Sequence, residues 1–178
     1  KISLRNVTLV RQYFVDSVEY STLSIIKNIL ILTFSIEALG TLALYFLLPG
    51  RSGETFFTAL FHSVSAFCNA GFSLFSDNLE GFGKNPSILG TVTALVVLGG
   101  LGFVVLNEIL QKAGGRRKNF SLHSKLVLIV TGIALLAGMV LFILFEFRYS
   151  LAGMGTGARI VSSLFNSAMP RTAGFNAV

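Results

Sequence analysis

Long apolar runs limit this chain to a narrow set of folds. Leu122 to Phe147 is a run of 26 residues dominated by Leu, Val, Ile and Ala, and Ile25 to Leu48 is a similar run of 24 residues. Ser87 to Leu110 is a third. At ~1.5 Å of rise per residue, each can cross ~30 Å of hydrocarbon as a helix. Only 12% of the residues are charged, about half the share of a typical soluble domain. We therefore expect an all-α membrane protein.

Two shorter apolar segments are interleaved with the predicted spans. Phe56 to Cys68 has 13 residues, and Gly157 to Phe175 contains a similar run that stops at Pro170. Such runs are too short to cross a bilayer but suit re-entrant half-helices. Because proline restricts the residue before it and ends helices, we expect the second half-helix to end at Pro170.

Both half-helices lead into the tripeptide Ala-Gly-Phe. It follows Asn69 in the first copy and Thr172 in the second, 103 residues later. Because each copy follows a short apolar segment that itself follows a full span, the register favours an internal repeat. We expect a helix–re-entrant pore loop–helix unit over residues 25–110 and part of a second unit over residues 122–178.

The turns at Gly71 and Gly174 offer chemistry for binding a cation. Irregular backbone facing lipid costs several kcal/mol per unpaired group, so it is tolerated only inside protein or along a watery cavity. Glycine gives the φ freedom that lets carbonyls turn inward and replace an ion's hydration shell. Neither turn contains a carboxylate, which favours a monovalent ion over calcium. The alternative is that these are ordinary loops in which Ala-Gly-Phe only packs.

Lysine and arginine predict the orientation. With three spans, nine of the fourteen basic residues fall on one side: four in residues 1–27 and five from Gln111 to Lys125, between the second and third spans. The head (1–24) and the basic loop (111–121) are therefore expected to be cytoplasmic, in a multi-pass protein of the cell membrane. A nucleic-acid patch is the alternative for the loop. A topology signal suffices there, and we expect no nucleic-acid partner.

No catalytic constellation is present in the sequence. Cys68 is the only cysteine, His62 and His123 are isolated, and the serines have no suitably arranged His and Asp partners. Two interpretations of Glu37, in the middle of the first span, stay open. The first is a role in proton relay or ion coupling, and the second is a hydrogen-bonded structural acid or a span shorter than Ile25 to Leu48. For Arg171, beside the second turn, we favour a scaffold that binds backbone carbonyls over a charge that repels anions.

Four stretches together resemble the Trk/Ktr family of potassium-uptake transporters, in particular its KtrB-type membrane subunit. They are H62-S-V-S-A-F-C-N-A-G-F-S-L, L98-G-G-L-G-F, S121-L-H-S-K-L-V-L and M169-P-R-T-A-G-F-N. Such transporters are built from four helix–pore-loop–helix units around one pore, like a potassium channel folded from a single chain. The resemblance implies that this sequence is a piece of a longer protein, covering unit two and half of unit three.

The resemblance also implies a site and partners. Potassium is the transported ion, sodium is a candidate coupling ion, and no other cofactor is expected. The family suggests a homodimer that rests on a cytoplasmic ring of nucleotide-binding regulatory subunits, with the Cys68 side chain pointing away from the ion. A non-conducting membrane scaffold is the main alternative, and an intramembrane enzyme is the least supported. The selectivity filter would use the backbone of Asn69, Ala70, Gly71, Thr172, Ala173 and Gly174.

Overall fold

The computed structural model describes residues 22–50, 52–115 and 119–178. Most of the head predicted for residues 1–24 lies outside the described residues, as do residues 116–118 of the basic loop. Throughout the described ranges the chain is helical or irregular, without a strand, which confirms the expected all-α class. The described residues form six α-helices: α1 (Thr22–Leu47), α2 (Gly53–Phe67), α3 (Pro86–Leu101), α4 (Phe103–Ala113), α5 (Leu122–Glu146) and α6 (Thr156–Thr172), with a short 3₁₀ turn at Glu80–Phe82.

Helices α1 and α5 match the first and third predicted spans. Ile26–Leu47 and Leu122–Glu146 are both long and apolar enough to cross a membrane. Much of the surface of α5 is apolar and open, as at Leu144 (69% exposed) and Phe145 (74% exposed). In water such an apolar surface would favour aggregation, whereas lipid or neighbouring membrane helices can cover it without burying polar groups.

The second predicted span is not one straight helix. It divides at Gly102 into α3 and α4, whose axes differ by 105°. Gly102 has φ 80° and ψ 156°, a conformation that glycine adopts and other residues avoid. Beyond the bend, α4 lies against α5, and Glu108 in α4 accepts a hydrogen bond from the Ser121 amide at 2.9 Å. The span predicted from Ser87 to Leu110 therefore consists of two helices at an angle, a bend that apolar composition does not reveal.

The two long helices hold the two short ones in the same way. Ser63 in α2 donates a hydrogen bond to the Glu37 carbonyl of α1 at 2.8 Å. Ser167 in α6 donates in the same manner to the Leu135 carbonyl of α5, also at 2.8 Å. In each pair a glycine three residues after the acceptor lets the helices approach, since a Cβ there would overlap the serine hydroxyl. These glycines are Gly40 and Gly138.

Helix α3 joins the two pairs. It contacts α1, α2 and α6, and its residues Val92 and Val96 are almost fully buried in the core that these helices share. Gly99 lies against the end of α2, where a Cβ would overlap the Phe67 carbonyl oxygen. The core therefore sets the ends of α2 and α6 beside each other, with α3 as their common support.

Candidate functional site

The first predicted turn closes helix α2 through a left-handed residue. The amides of Asn69 and Ala70 donate to the carbonyls of Ala66 and Ser65 at 3.0 and 2.8 Å. Asn69 has φ 55°, a conformation that asparagine tolerates better than most residues. Gly71 has φ 73°. The chain thus turns away from the helix within four residues of Phe67.

The second predicted turn closes α6 by a related route. The amides of Ala173 and Gly174 both donate to the Met169 carbonyl, at 3.2 and 3.0 Å, and Gly174 has φ 69°. Pro170 lies inside α6, which continues to Thr172. The predicted stop at Pro170 was therefore wrong. Proline removes only its own amide donor, and here this occurs in the last turn, where the Met169 carbonyl still collects the closing bonds.

The two turns meet at Gly71. A Cβ built on Gly71 would overlap the carbonyl oxygen of Ala173 and would lie 3.3 Å from the carbonyl carbon of Gly174. Glycine is thus required twice at this position, for its positive φ and for the space that the second turn occupies. Residues 103 apart in the sequence are brought into contact, which the internal repeat alone did not predict.

The hydrogen bonding of the carbonyl oxygens in these turns bears on cation binding. Within the described part of the chain, no hydrogen bond reaches the carbonyl oxygens of Ala70, Gly71, Ala173 or Gly174. Those ranges also contain no group of three His, Cys, Asp or Glu side chains able to hold a metal ion. Any cation held between the turns would therefore meet peptide oxygens.

A buried histidine supports the first turn, and sequence analysis missed this role. His62 is 2% exposed, its Nδ1 is 2.7 Å from the Thr58 carbonyl oxygen, and its Nε2 is 3.0 Å from Ser73 Oγ. The ring stacks on Phe75 with centroids 4.8 Å apart. Ser65, on the same face of α2 three residues later, donates to the Phe72 carbonyl at 2.8 Å. This i, i+3 spacing of polar residues in an apolar helix was the available signal.

The two charged residues singled out from the sequence occupy different settings. Glu37 is 7% exposed, and its Oε1 lies 3.9 Å from Sγ of Cys68, the residue before Asn69. Arg171 is exposed, and its side chain forms no hydrogen bond or ion pair with the described residues. The carbonyl-binding role favoured for Arg171 is thus not observed in this part of the protein.

Comparison with known proteins identifies the family. The family model described as "TrkH: Cation transport protein" matches residues 4–178. Ktr system potassium uptake protein B of Vibrio alginolyticus is 38% identical over all of this chain, and the protein of the same name from Bacillus subtilis is 35% identical over all of it. Potassium/sodium uptake protein NtpJ of Enterococcus hirae is 37% identical over 80% of the chain.

The match covers a portion of each relative. The chain spans 40% of the length of the two Ktr proteins and 32% of the Enterococcus protein. Its apolar helices agree with a place in the membrane. The match to the family model runs from residue 4 to residue 178 and therefore includes both turns and the helices that carry them. The chain therefore belongs to the TrkH family of cation transport proteins, membrane transporters and not enzymes.

Proposed function

We propose that the protein of which this chain forms part carries potassium across the membrane through a filter made of backbone carbonyls. One observation carries the proposal. Two glycine turns, each at the end of a short helix, touch at Gly71 and present carbonyl oxygens that accept no hydrogen bond from the described residues. Relatives whose names describe potassium uptake support the choice of ion. The filter residues are Asn69, Ala70, Gly71, Thr172, Ala173 and Gly174.

Helix length supports a re-entrant path for α2 and α6. They have 15 and 17 residues, which corresponds to about 22 and 26 Å and falls short of the ~30 Å hydrocarbon core. Each then reverses in its turn instead of continuing. The carboxyl end of a helix carries about half a negative charge. Both helix ends and the turn carbonyls thus favour a cation at the same place.

The complete pathway requires more than this chain. The four-unit plan of the resemblance assigns two quarters of the filter to these residues and the other two to the rest of the protein. A homodimer, a cytoplasmic nucleotide-binding ring and coupling to sodium belong to the same proposal. The phrase "Ktr system" in the names of the relatives supports a multi-component assembly. The basic head (1–24) and the basic loop (111–121) are the candidate contacts with the ring.

Potassium uptake by the intact parent protein tests the proposal. Cells that lack their own uptake systems would express the parent with and without Gly71→Asp, which places a carboxylate and a Cβ where the two turns touch. We expect a changed potassium affinity or selectivity with normal membrane insertion. Gly157→Ala is the matched control, because Gly157 lies in open space near the start of α6 and its φ is not positive. Normal transport by inserted Gly71→Asp protein would refute the filter, and a defect in assembly without an ion-specific change would indicate a scaffold.

A further inference from the structure

Asn176, two residues after Gly174, binds the loop that follows the first turn at three places. Its amide donates to Asn78 Oδ1 at 3.2 Å, and its Nδ2 donates to Glu80 Oε1 at 2.7 Å. Its carbonyl accepts from the Leu79 amide at 2.9 Å. We call this arrangement of Asn176 with Asn78, Leu79 and Glu80 the outer clamp. It links segments that are nearly 100 residues apart in the sequence.

The segment carrying Asn176 is fixed on its other side by burial. Ala173, Phe175 and Ala177 are each at most 4% exposed, while Asn176 is exposed. This alternation is that of an extended chain with one face on the core. The Ala177 carbonyl also lies close against Gly83. Asn176 is therefore held at a set position along the loop, with its side chain directed at Glu80.

The same loop also holds the first turn. Ser73, two residues after Gly71, donates from Oγ to the Asn78 carbonyl at 3.0 Å. Ser73 and Asn176 thus occupy matching positions after the two glycines, and both bind Asn78. Ser73 binds the main-chain oxygen of Asn78, and Asn176 binds its side-chain oxygen. Asn78 has φ 58°, the left-handed conformation. Asn78 thus connects the outer clamp, which holds the segment after Gly174, to Ser73 in the segment after Gly71.

We propose that the outer clamp sets the distance between the two filter turns, with Asn176 as a positioning residue for ion selectivity. This inference rests on the proposed function. Because Gly71 touches the Ala173 carbonyl oxygen, a shift of the segment after Gly174 also shifts a candidate ligand oxygen. Carbonyl filters distinguish potassium from sodium by the size or the field of the oxygen cage. A relaxed clamp should therefore admit sodium more readily.

A different role for the same residues is attraction by charge. Glu80 and Asp77 place two carboxylates in this loop, and negative charge at a channel mouth raises the local cation concentration. The two roles make opposite predictions for Glu80→Gln. The glutamine keeps an oxygen that accepts from Asn176 Nδ2 and loses the charge, whereas Glu80→Ala loses both. Asp77→Asn is the matched charge control, because Asp77 accepts from the Gly81 amide within its own loop.

The experiment measures potassium uptake and its inhibition by sodium in the intact parent protein, normalised to the amount in the membrane. For Asn176→Ala and for Glu80→Ala we expect selectivity for potassium over sodium to fall about threefold to tenfold, the equivalent of one hydrogen bond. Glu80→Gln and Asp77→Asn should remain close to wild type. The double variant Asn176→Ala/Glu80→Ala should lose no more than either single variant, because both remove the same bond.

Three outcomes would overturn the inference. They are wild-type selectivity in well-inserted Asn176→Ala protein, equal losses in Glu80→Gln and Glu80→Ala, and additive losses in the double variant. If Asn176→Ala protein fails to insert, the comparison of Glu80→Gln with Glu80→Ala decides alone. Absence of potassium uptake by the wild-type parent would instead refute the proposed function, and the inference with it.

Discussion

The contact between the two turns predicts that Gly71 and Gly174 respond differently to the same substitution. Both have positive φ, so alanine is strained at either position by ~1–2 kcal/mol. At Gly174 the added methyl group meets nothing within 4 Å. At Gly71 it overlaps the backbone carbonyl of Ala173, which cannot rotate away as a side chain would. Overpacking of this kind costs a further ~1–3 kcal/mol.

This second cost falls on the candidate ion ligands. A difference of ~1–3 kcal/mol expressed at the site corresponds to about five- to 150-fold in affinity. We therefore expect the KM of potassium uptake, or the selectivity over sodium, to change at least fivefold more in Gly71→Ala than in Gly174→Ala. The assay is uptake by the intact parent protein, with the amount in the membrane measured by immunoblot.

The equivalence or reversal of the two variants would refute this reasoning. Equal effects would mean that backbone strain alone matters and that the contact with Ala173 is not tight in the working protein. A larger effect at Gly174 would mean that the second turn faces a neighbour outside this chain. Gly157→Ala again serves as control, since it adds a methyl group in open space at a residue without positive φ.

Three further predictions concern the supports of the site. Ser65→Ala removes the hydrogen bond to the Phe72 carbonyl and should lower the free energy of unfolding of the purified parent protein by ~1 kcal/mol. The potassium affinity should weaken as well, and an unchanged affinity would show that this bond does not hold the turn. Gly138→Ala should separate α5 from α6 and lower the unfolding temperature, whereas Gly132→Ala, in open space on the same helix, should not; equal unfolding temperatures would contradict the close packing. Gly102→Ala should cost ~1–2 kcal/mol through its φ of 80°, measured by thermal unfolding, and full stability would show that the bend straightens.

The family and the all-helical fold class could both be predicted from the sequence. Runs such as Leu122 to Phe147 are diagnostic because hydrocarbon accepts little else, and the family match over residues 4–178 agrees with the motifs on which the resemblance rested. The ends of the two long helices were predicted to within three residues. The roles of the filter residues, the orientation and the assembly stay predictions.

The errors came from backbone geometry. The span predicted from Ser87 to Leu110 bends by 105° at Gly102, and the helix that was expected to stop at Pro170 continues to Thr172. Glycine permits a bend without requiring one, and proline costs a helix only one donor in its last turn. Local composition therefore cannot decide whether a helix bends at a glycine or ends at a proline. The packing of the neighbouring helices decides this, because it stabilises one backbone path over the other.

The sequence by itself determined the segments of the chain. It showed which apolar runs are long enough to cross a membrane, which are too short to cross it, and where the two glycine turns follow the short runs. Only the tertiary structure decided that these turns touch, and that Asn78 is shared between Ser73 and Asn176. The physical reason is distance along the chain. Composition and periodicity report the environment of each segment, whereas contacts between residues about 100 apart arise from how α3 packs against both α2 and α6.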